Sequence, residues 1–302
     1  MPTPTPFDLM GWLGPEVAEP EFTRLSDNFM PFNIYGTAAA PIRTTPGPPI
    51  WEFAKRVNGG QHLPTWRQAS SDCVSMGCAQ AGQYMSVFEI AIRGQEEMFK
   101  WWYPPFIYGA SRVQVGGGRL RGPGSTGAWG ATAMMKYGVL FTDDQGVPRY
   151  SKQIADQWGQ RPGPPTSMFD QAKDNLVGSA ARITTVSEIR EALINYKMVT
   201  IASGRGFQME TVNYKGYHVF RPEGEWPHQT TFISWMDEPF AAAYRLNSWG
   251  NDAHGPPLNG EPPGGGWNLA DDIEYELQRY GCEVYALSLF NGFPAPPNFS
   301  IL

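Results

Sequence analysis

A change of hydrophobic period along the chain is the feature that most constrains its fold. Over residues 71–94 the apolar side chains Val74, Cys78, Ala81, Met85, Phe88 and Ile92 recur in three- and four-residue steps. That spacing is one face of a helix, and Gly94 is placed to end it. A second helical stretch over 128–137 stops at Gly138, before the extended Val139, Leu140 and Phe141. A helix over 185–196, capped by Thr185 or Ser187, leads into a strand over 198–202. Beyond this point the period shortens. Residues 230–235, 242–246 and 284–290 are β-branched or aromatic runs separated by turn residues, as in an antiparallel sheet or barrel. Helices come first and strands follow, with no internal repeat, which predicts an α+β architecture rather than a doubly wound one.

Outside these elements the composition favours loop. The chain has 34 Gly and 28 Pro among 302 residues, and residues 160–167 read as a Pro/Gly connector. Residues 1–50 carry Pro2, Pro4, Pro6, Pro15, Pro20, Pro31, Pro41, Pro46, Pro48 and Pro49 without a sustained period. This segment is expected to be an arm laid on the protein's own body or on neighbouring subunits. The remaining 51–302 form the folded domain, with a helical lobe at about 60–180 and a β lobe at about 181–295.

The net charge of −6 with Lys and Arg scattered singly argues against a nucleic-acid partner. No apolar run is long enough to cross a bilayer, and the N-terminus lacks the basic and apolar regions of a signal peptide. No membrane partner is expected, and the expected location is the cytoplasm, or the interior of a virus particle or other assembly. Three cysteines, Cys73, Cys78 and Cys282, make no disulfide framework or zinc motif, and His62, His218, His228 and His254 show no i, i+4 pair. No metal or other cofactor is expected.

Chemistry is suggested by Cys73, which opens the first helical stripe. A cysteine nucleophile works as its thiolate, which a helix N-terminus favours, and it needs a nearby histidine to move protons. Gln68 precedes it. Downstream, the Gly-rich segment at 124–140 contains Ser125, Thr126 and Gly127; His228 leads into an apolar strand; and 244–250 reads Tyr-Arg-Leu-Asn-Ser-Trp-Gly. In this order the pieces resemble the papain-like cysteine protease family over roughly residues 51–290. The resemblance implies a papain-like fold, in which a helical lobe with a central nucleophile helix packs against an antiparallel, barrel-like β lobe. It assigns Cys73 as nucleophile, His228 as base, Asn247 as the amide orienting the imidazole, and Gln68 to the oxyanion hole. Ser125, Thr126, Gly127 and Trp249 are the expected substrate-binding positions, Trp249 also shielding the imidazole–amide hydrogen bond, and a polypeptide is the expected substrate.

The chain departs from that family's pattern in four places. Val74 stands where tryptophan is usual, Gln68 is one residue closer to the cysteine, and His228 lies between Pro227 and Gln229. Asp72 adjoins the thiol, where a carboxylate disfavours the thiolate unless it is paired or turned away. Two other readings therefore stand beside the peptidase. One is a structural or assembly component, for example of a virus particle, that keeps the fold for binding through its arm. The other is a cell-wall peptide amidase.

The remaining features have plainer readings. Cys78 and Cys282 are expected to be buried hydrophobes, and Trp101 and Trp102 core or a packing ridge. His218 is the fallback base. His62 and His254, in Gly/Pro loops, are expected to be solvated. The acidic group Asp271, Asp272, Glu274 and Glu276 is expected to form a solvated face. Gly122, Gly124 and Gly127 spell G-x-G-x-x-G, but Pro123 interrupts it and no apolar strand leads in, so a dinucleotide loop is rejected.

Overall fold

The computed structural model describes residues 9–32, 43–92, 94 and 98–288. Parts of the expected arm (1–8 and 33–42), residues 289–290 of the expected last strand, and the remaining residues to 302 lie outside the described residues. Within the arm the sequence reading needs correction: α1 (Pro15–Leu25) is a helix. Pro15 fits its first turn, where no amide partner is needed, and Glu16 complements the positive end. Pro20 inside it removes one backbone hydrogen bond, which is why the segment reads as helix-breaking.

Ile50, Trp51, Phe53 and Ala54 form the buried face of α2 (Ile50–Val57). It packs on α3 (Cys73–Ala91), the helix that the apolar stripe announced. The stripe understates α3, because nearly every side of it is buried, not one face. A Cβ at Gly82 would stand 2.2 Å from the Trp102 ring, so glycine here lets the indole pack directly on the α3 backbone. Next come α4 (Pro104–Gly109), continued as a π-helical turn, and α5 (Gly127–Tyr137). Thr126 caps α5 by accepting from Trp129 N, and Gly138, at φ 77°, ends it. After α6 (Lys152–Trp158), the expected connector over 160–167 is cut short by α7 (Thr166–Ala172).

The strands are β1 (Ser179–Arg182), β2 (Met198–Phe207), β3 (Val212–Tyr214), β4 (Tyr217–Val219), β5 (Pro222–Met236), β6 (Ala242–Leu246), β7 (Gly265–Leu269) and β8 (Glu283–Ser288). They form one sheet in the order β1-β8-β2-β5-β6-β7-β4-β3, antiparallel except where β4 meets β7. The expected α+β fold is present, with the helix that Cys73 opens packed against a largely antiparallel sheet. Alternate residues face opposite sides, as the period of two requires. Met198, Tyr285 and Leu287 join the core shared with α3, while Val199, Ile201, Val284 and Ala286 meet Ile189 and Leu193 of α8 (Val186–Ile194) on the other face. Thr185 is the α8 cap, in a reciprocal box with Glu188.

The acidic group is not a solvated face throughout. It lies on α9 (Ala270–Arg279), where Asp271 and Asp272 occupy the first turn, but Glu276 is fully buried and pairs with Arg245 at 2.6 Å. Arg245 also lies over the rings of Phe207 and Phe232. Substituting Glu276→Ala strands a guanidinium inside the protein and is expected to cost about 3–5 kcal/mol of stability. The midpoint of a denaturant titration checks it. Among the described residues no helix is long and apolar enough to cross a membrane, and no group of three or more His, Cys, Asp or Glu could hold a metal ion.

Candidate active site

Cys73 is the first residue of α3, and its thiol is fully buried. Backbone amides of Gln229, Gly11 and Val74 approach the sulfur and favour its anion, but burial prevails, with the Asp72 carboxylate adding to it. The thiol is pushed up to about 12. The Asp72 charge therefore acts on the thiol. Asp72 is itself completely buried, and burial lifts it to about 7 although the Tyr150 hydroxyl donates to it at 3.1 Å.

Because the folded value for Asp72 lies above the ordinary 3.8, folding takes up a proton in between. The stability it contributes is fully present below the ordinary value and is lost as pH rises through about 7. Asp72→Asn keeps an acceptor for Tyr150 and removes the charge. Its thermal midpoint, relative to the unsubstituted protein, is expected to be more favourable at about pH 8 than at about pH 5. Thermal melts at the two pH values decide it.

The histidine and asparagine come from neighbouring strands of the sheet. His228 is on β5, and Asn247 follows β6 directly. His228 Nε2 lies 2.7 Å from Asn247 Oδ1, which also accepts from Ser248 N at 2.7 Å. Burial lowers the imidazole to about 4, against the raising effect of that hydrogen bond, so it is neutral at pH 7. His228 Nδ1 makes no hydrogen bond among the described residues, to Cys73 or to any other group. The next residue in the strand, Gln229, brings its amide to the Cys73 sulfur. The Trp249 ring lies beside the His228 ring, tilted by 35° at a centroid distance of 5.1 Å, and also meets Trp226 at 5.0 Å. Its indole covers the imidazole.

Sequence reasoning missed two parts of this site. The first is His254, which is not solvated: it is 1% exposed, and its Nε2 lies 2.9 Å from Asn247 Nδ2. Its Gly/Pro surroundings reproduce a surface loop, and only the Asn-to-His spacing of seven residues linked it to the site. His218, the fallback base, is on β4 opposite Asn213 and takes no part.

The second is the segment from Leu9 to Leu13, which lies between β5 and the Gly-rich loop before α5. Gly11 N and Trp12 N donate to Pro227 O, each at 3.2 Å. On the other wall Ser125 N donates to Gly11 O at 2.8 Å, and Leu13 N donates to Ser125 O at 3.2 Å. The Trp12 indole donates to Glu283 at 2.7 Å, while Leu9 sits in a cluster with Phe207, Phe220, Trp226 and Trp249. Gln68 Nε2 donates to Leu9 O at 2.6 Å and to Ser70 O at 2.9 Å, and Gln68 Oε1 accepts from the Ser248 hydroxyl. The segment could not be found from its own sequence because backbone atoms make most of these contacts, and any residue carries those.

Of the three Gly-rich positions, only Ser125 pairs with this segment through its backbone. Thr126 is spent as the α5 cap, and the Gly127 amide donates to Glu283 Oε2 at 2.7 Å.

Comparison with known proteins bears on the fold. No protein-family model matches the sequence, and no curated protein matches it at a significant level. Solved structures do match. Xylellain, a cysteine protease from Xylella fastidiosa, superposes with a TM-score of 0.54 at 14% identity, over 86% of this chain and 95% of that one. The proform of the Amb a 11 cysteine protease, a ragweed pollen allergen, gives 0.56 at 10% identity, over 95% and 78%. Digestive procathepsin L 3 from Tenebrio molitor larval midgut gives 0.55 at 9%, over 93% and 76%. The chain therefore has a divergent papain-like fold.

Proposed function

We propose that this protein is a papain-like cysteine peptidase that hydrolyses peptide or amide bonds through a thiol acyl-enzyme, and that the described form is closed by its own arm. One observation carries the reading. The site already holds a polypeptide backbone, with the Leu9 carbonyl on Gln68 and the Gly11 amide against Cys73. A site that grips main-chain groups at the thiol suits a peptide substrate.

With the arm displaced, Cys73 Sγ attacks the substrate carbonyl carbon while His228 Nδ1 takes the thiol proton. Gln68 Nε2, with the Cys73 backbone amide, stabilises the oxyanion. Protonated His228 gives its proton to the leaving amine, leaving a thioester. Water then hydrolyses the thioester, with His228 as base, and the thiol is restored. Asn247 Oδ1 holds Nε2–H throughout, so that Nδ1 remains the basic nitrogen. Ser125 supplies backbone pairing to the substrate, as it does to the arm, and Trp249 keeps water from the imidazole–amide bond.

Alkylation with iodoacetamide followed by peptide mapping tests the nucleophile. When the arm is displaced, Cys73 should react in preference to Cys78 and Cys282, and peptide hydrolysis should stop in proportion. Absence of that preference argues against the reading.

The buried thiol and occupied cleft also favour a second reading, a binding or assembly component without catalysis. It requires that hydrolysis stay absent after the arm is displaced and that the protein associate in solution. A monomer that cleaves peptides removes it. Digestion of peptidoglycan in preference to peptides would instead select the cell-wall amidase.

A further inference from the structure

We propose that His254 is a positioning residue for His228, fixing through Asn247 which ring nitrogen of His228 carries the proton. The reaction it serves is the peptidase chemistry proposed above, but the proton arrangement itself follows from the hydrogen bonds alone.

Four groups form an unbroken series, in which the three side chains, His254, Asn247 and His228, are buried. The Met209 carbonyl is an acceptor only, and it lies 2.8 Å from His254 Nδ1, so that nitrogen carries the proton. In the neutral ring Nε2 is then an acceptor, and it takes the Asn247 Nδ2 proton at 2.9 Å. This turns Asn247 Oδ1 toward Ser248 N and His228 Nε2, both at 2.7 Å. Nε2 of His228 must therefore carry a proton. In the neutral ring that leaves Nδ1 as the lone pair, the form needed to receive a thiol proton.

Flipping the Asn247 amide would set two donors against each other at Ser248 and two acceptors at His254, whichever tautomer His228 adopted. One arrangement satisfies all the groups. Asn247 and His254 are 3% and 1% exposed, so water offers little compensation for a broken link.

The fold also holds His254 firmly. Thr211 donates to its carbonyl through both its hydroxyl, at 2.5 Å, and its amide, at 3.3 Å. Its ring stands edge-on to Phe220 at 4.9 Å and lies 5.5 Å from Trp249. The backbone is left-handed at φ 69°, a conformation uncommon for a residue with a Cβ and one found at functional sites. Burial lowers the ring to about 4, keeping it neutral at pH 7.

The test compares the full-length protein with His254→Phe and His254→Gln. Phenylalanine keeps the ring contacts and loses the acceptor, whereas the glutamine amide can accept from Asn247 and donate to Met209. Histidine side chains labelled with nitrogen-15 report each tautomer directly by NMR, without any need for catalysis. The expected result is His228 as the Nε2–H form in the unsubstituted protein, a mixture in His254→Phe, and recovery in His254→Gln.

For peptide hydrolysis measured with the arm displaced, kcat should fall about 5- to 150-fold in His254→Phe with KM little changed, the consequence of one buried donor left unsatisfied. His254→Gln should restore most of it. If His228 in folded His254→Phe keeps the Nε2–H form as fully as in the unsubstituted protein, the proposal is overturned. A loss of thermal stability with an unchanged tautomer and unchanged kcat also overturns it, by assigning His254 a purely structural role. If the tautomer responds but no peptide is ever cleaved, the positioning role stands and the peptidase reading falls.

Discussion

Gly11→Leu is expected to raise the alkylation rate of Cys73 by about 5- to 150-fold. A Cβ at this position would stand 2.1 Å from the Ser71 carbonyl oxygen and 2.6 Å from its carbon, both backbone atoms that cannot swing aside. The arm must therefore leave its present path over the thiol. Forcing a side chain into packed surroundings typically costs about 1–3 kcal/mol, which corresponds to the stated range in the closed-to-open equilibrium. Leu9 and Trp12 keep their own apolar contacts, so the effect is confined to the middle of the segment. Timed iodoacetamide labelling with peptide mapping reads the rate, with Cys78 and Cys282 as internal references. A rate equal to that of the unsubstituted protein would show that the arm does not limit access to Cys73.

On that opened background, His228→Ala is expected to lower kcat for a peptide substrate by about 10⁴-fold or more, the scale seen when a nucleophile loses its proton acceptor. The thiol, held at about 12 while buried, then has no imidazole to receive its proton, and the leaving amine has no acid. Asn247→Ala should cost less, because the imidazole remains and only its orientation and tautomer are released. Steady-state kinetics with a fluorogenic peptide measures both. Equal turnover in Gly11→Leu with and without His228→Ala would exclude His228 as the base.

The parts of the fold visible in the sequence were those whose signal is local. The α3 stripe, the Gly138 stop, the Thr185 cap and the β6 run each follow from side-chain period or end chemistry within a few residues. Strands β1, β3, β4 and β7 were missed because they are three to five residues long, and their identity depends on partners distant in the chain. Glu276 looked solvated because its neighbours are acidic. Only Arg245, approaching from β6, makes its burial tolerable.

Two things about the candidate site were determined by the sequence alone: which residue types are present, and that Cys73 opens a helix. A cysteine at a helix start, a histidine leading into a strand and an asparagine after the next strand can be read in order along the chain. Tertiary structure decided the state of that site. Burial and Asp72 hold the thiol neutral, the Leu9–Leu13 backbone lies against Cys73, Pro227 and Ser125, and His254 joins Asn247 behind the imidazole. Each of these depends on groups brought together from distant positions and on the water they exclude, and no local pattern of residues encodes either.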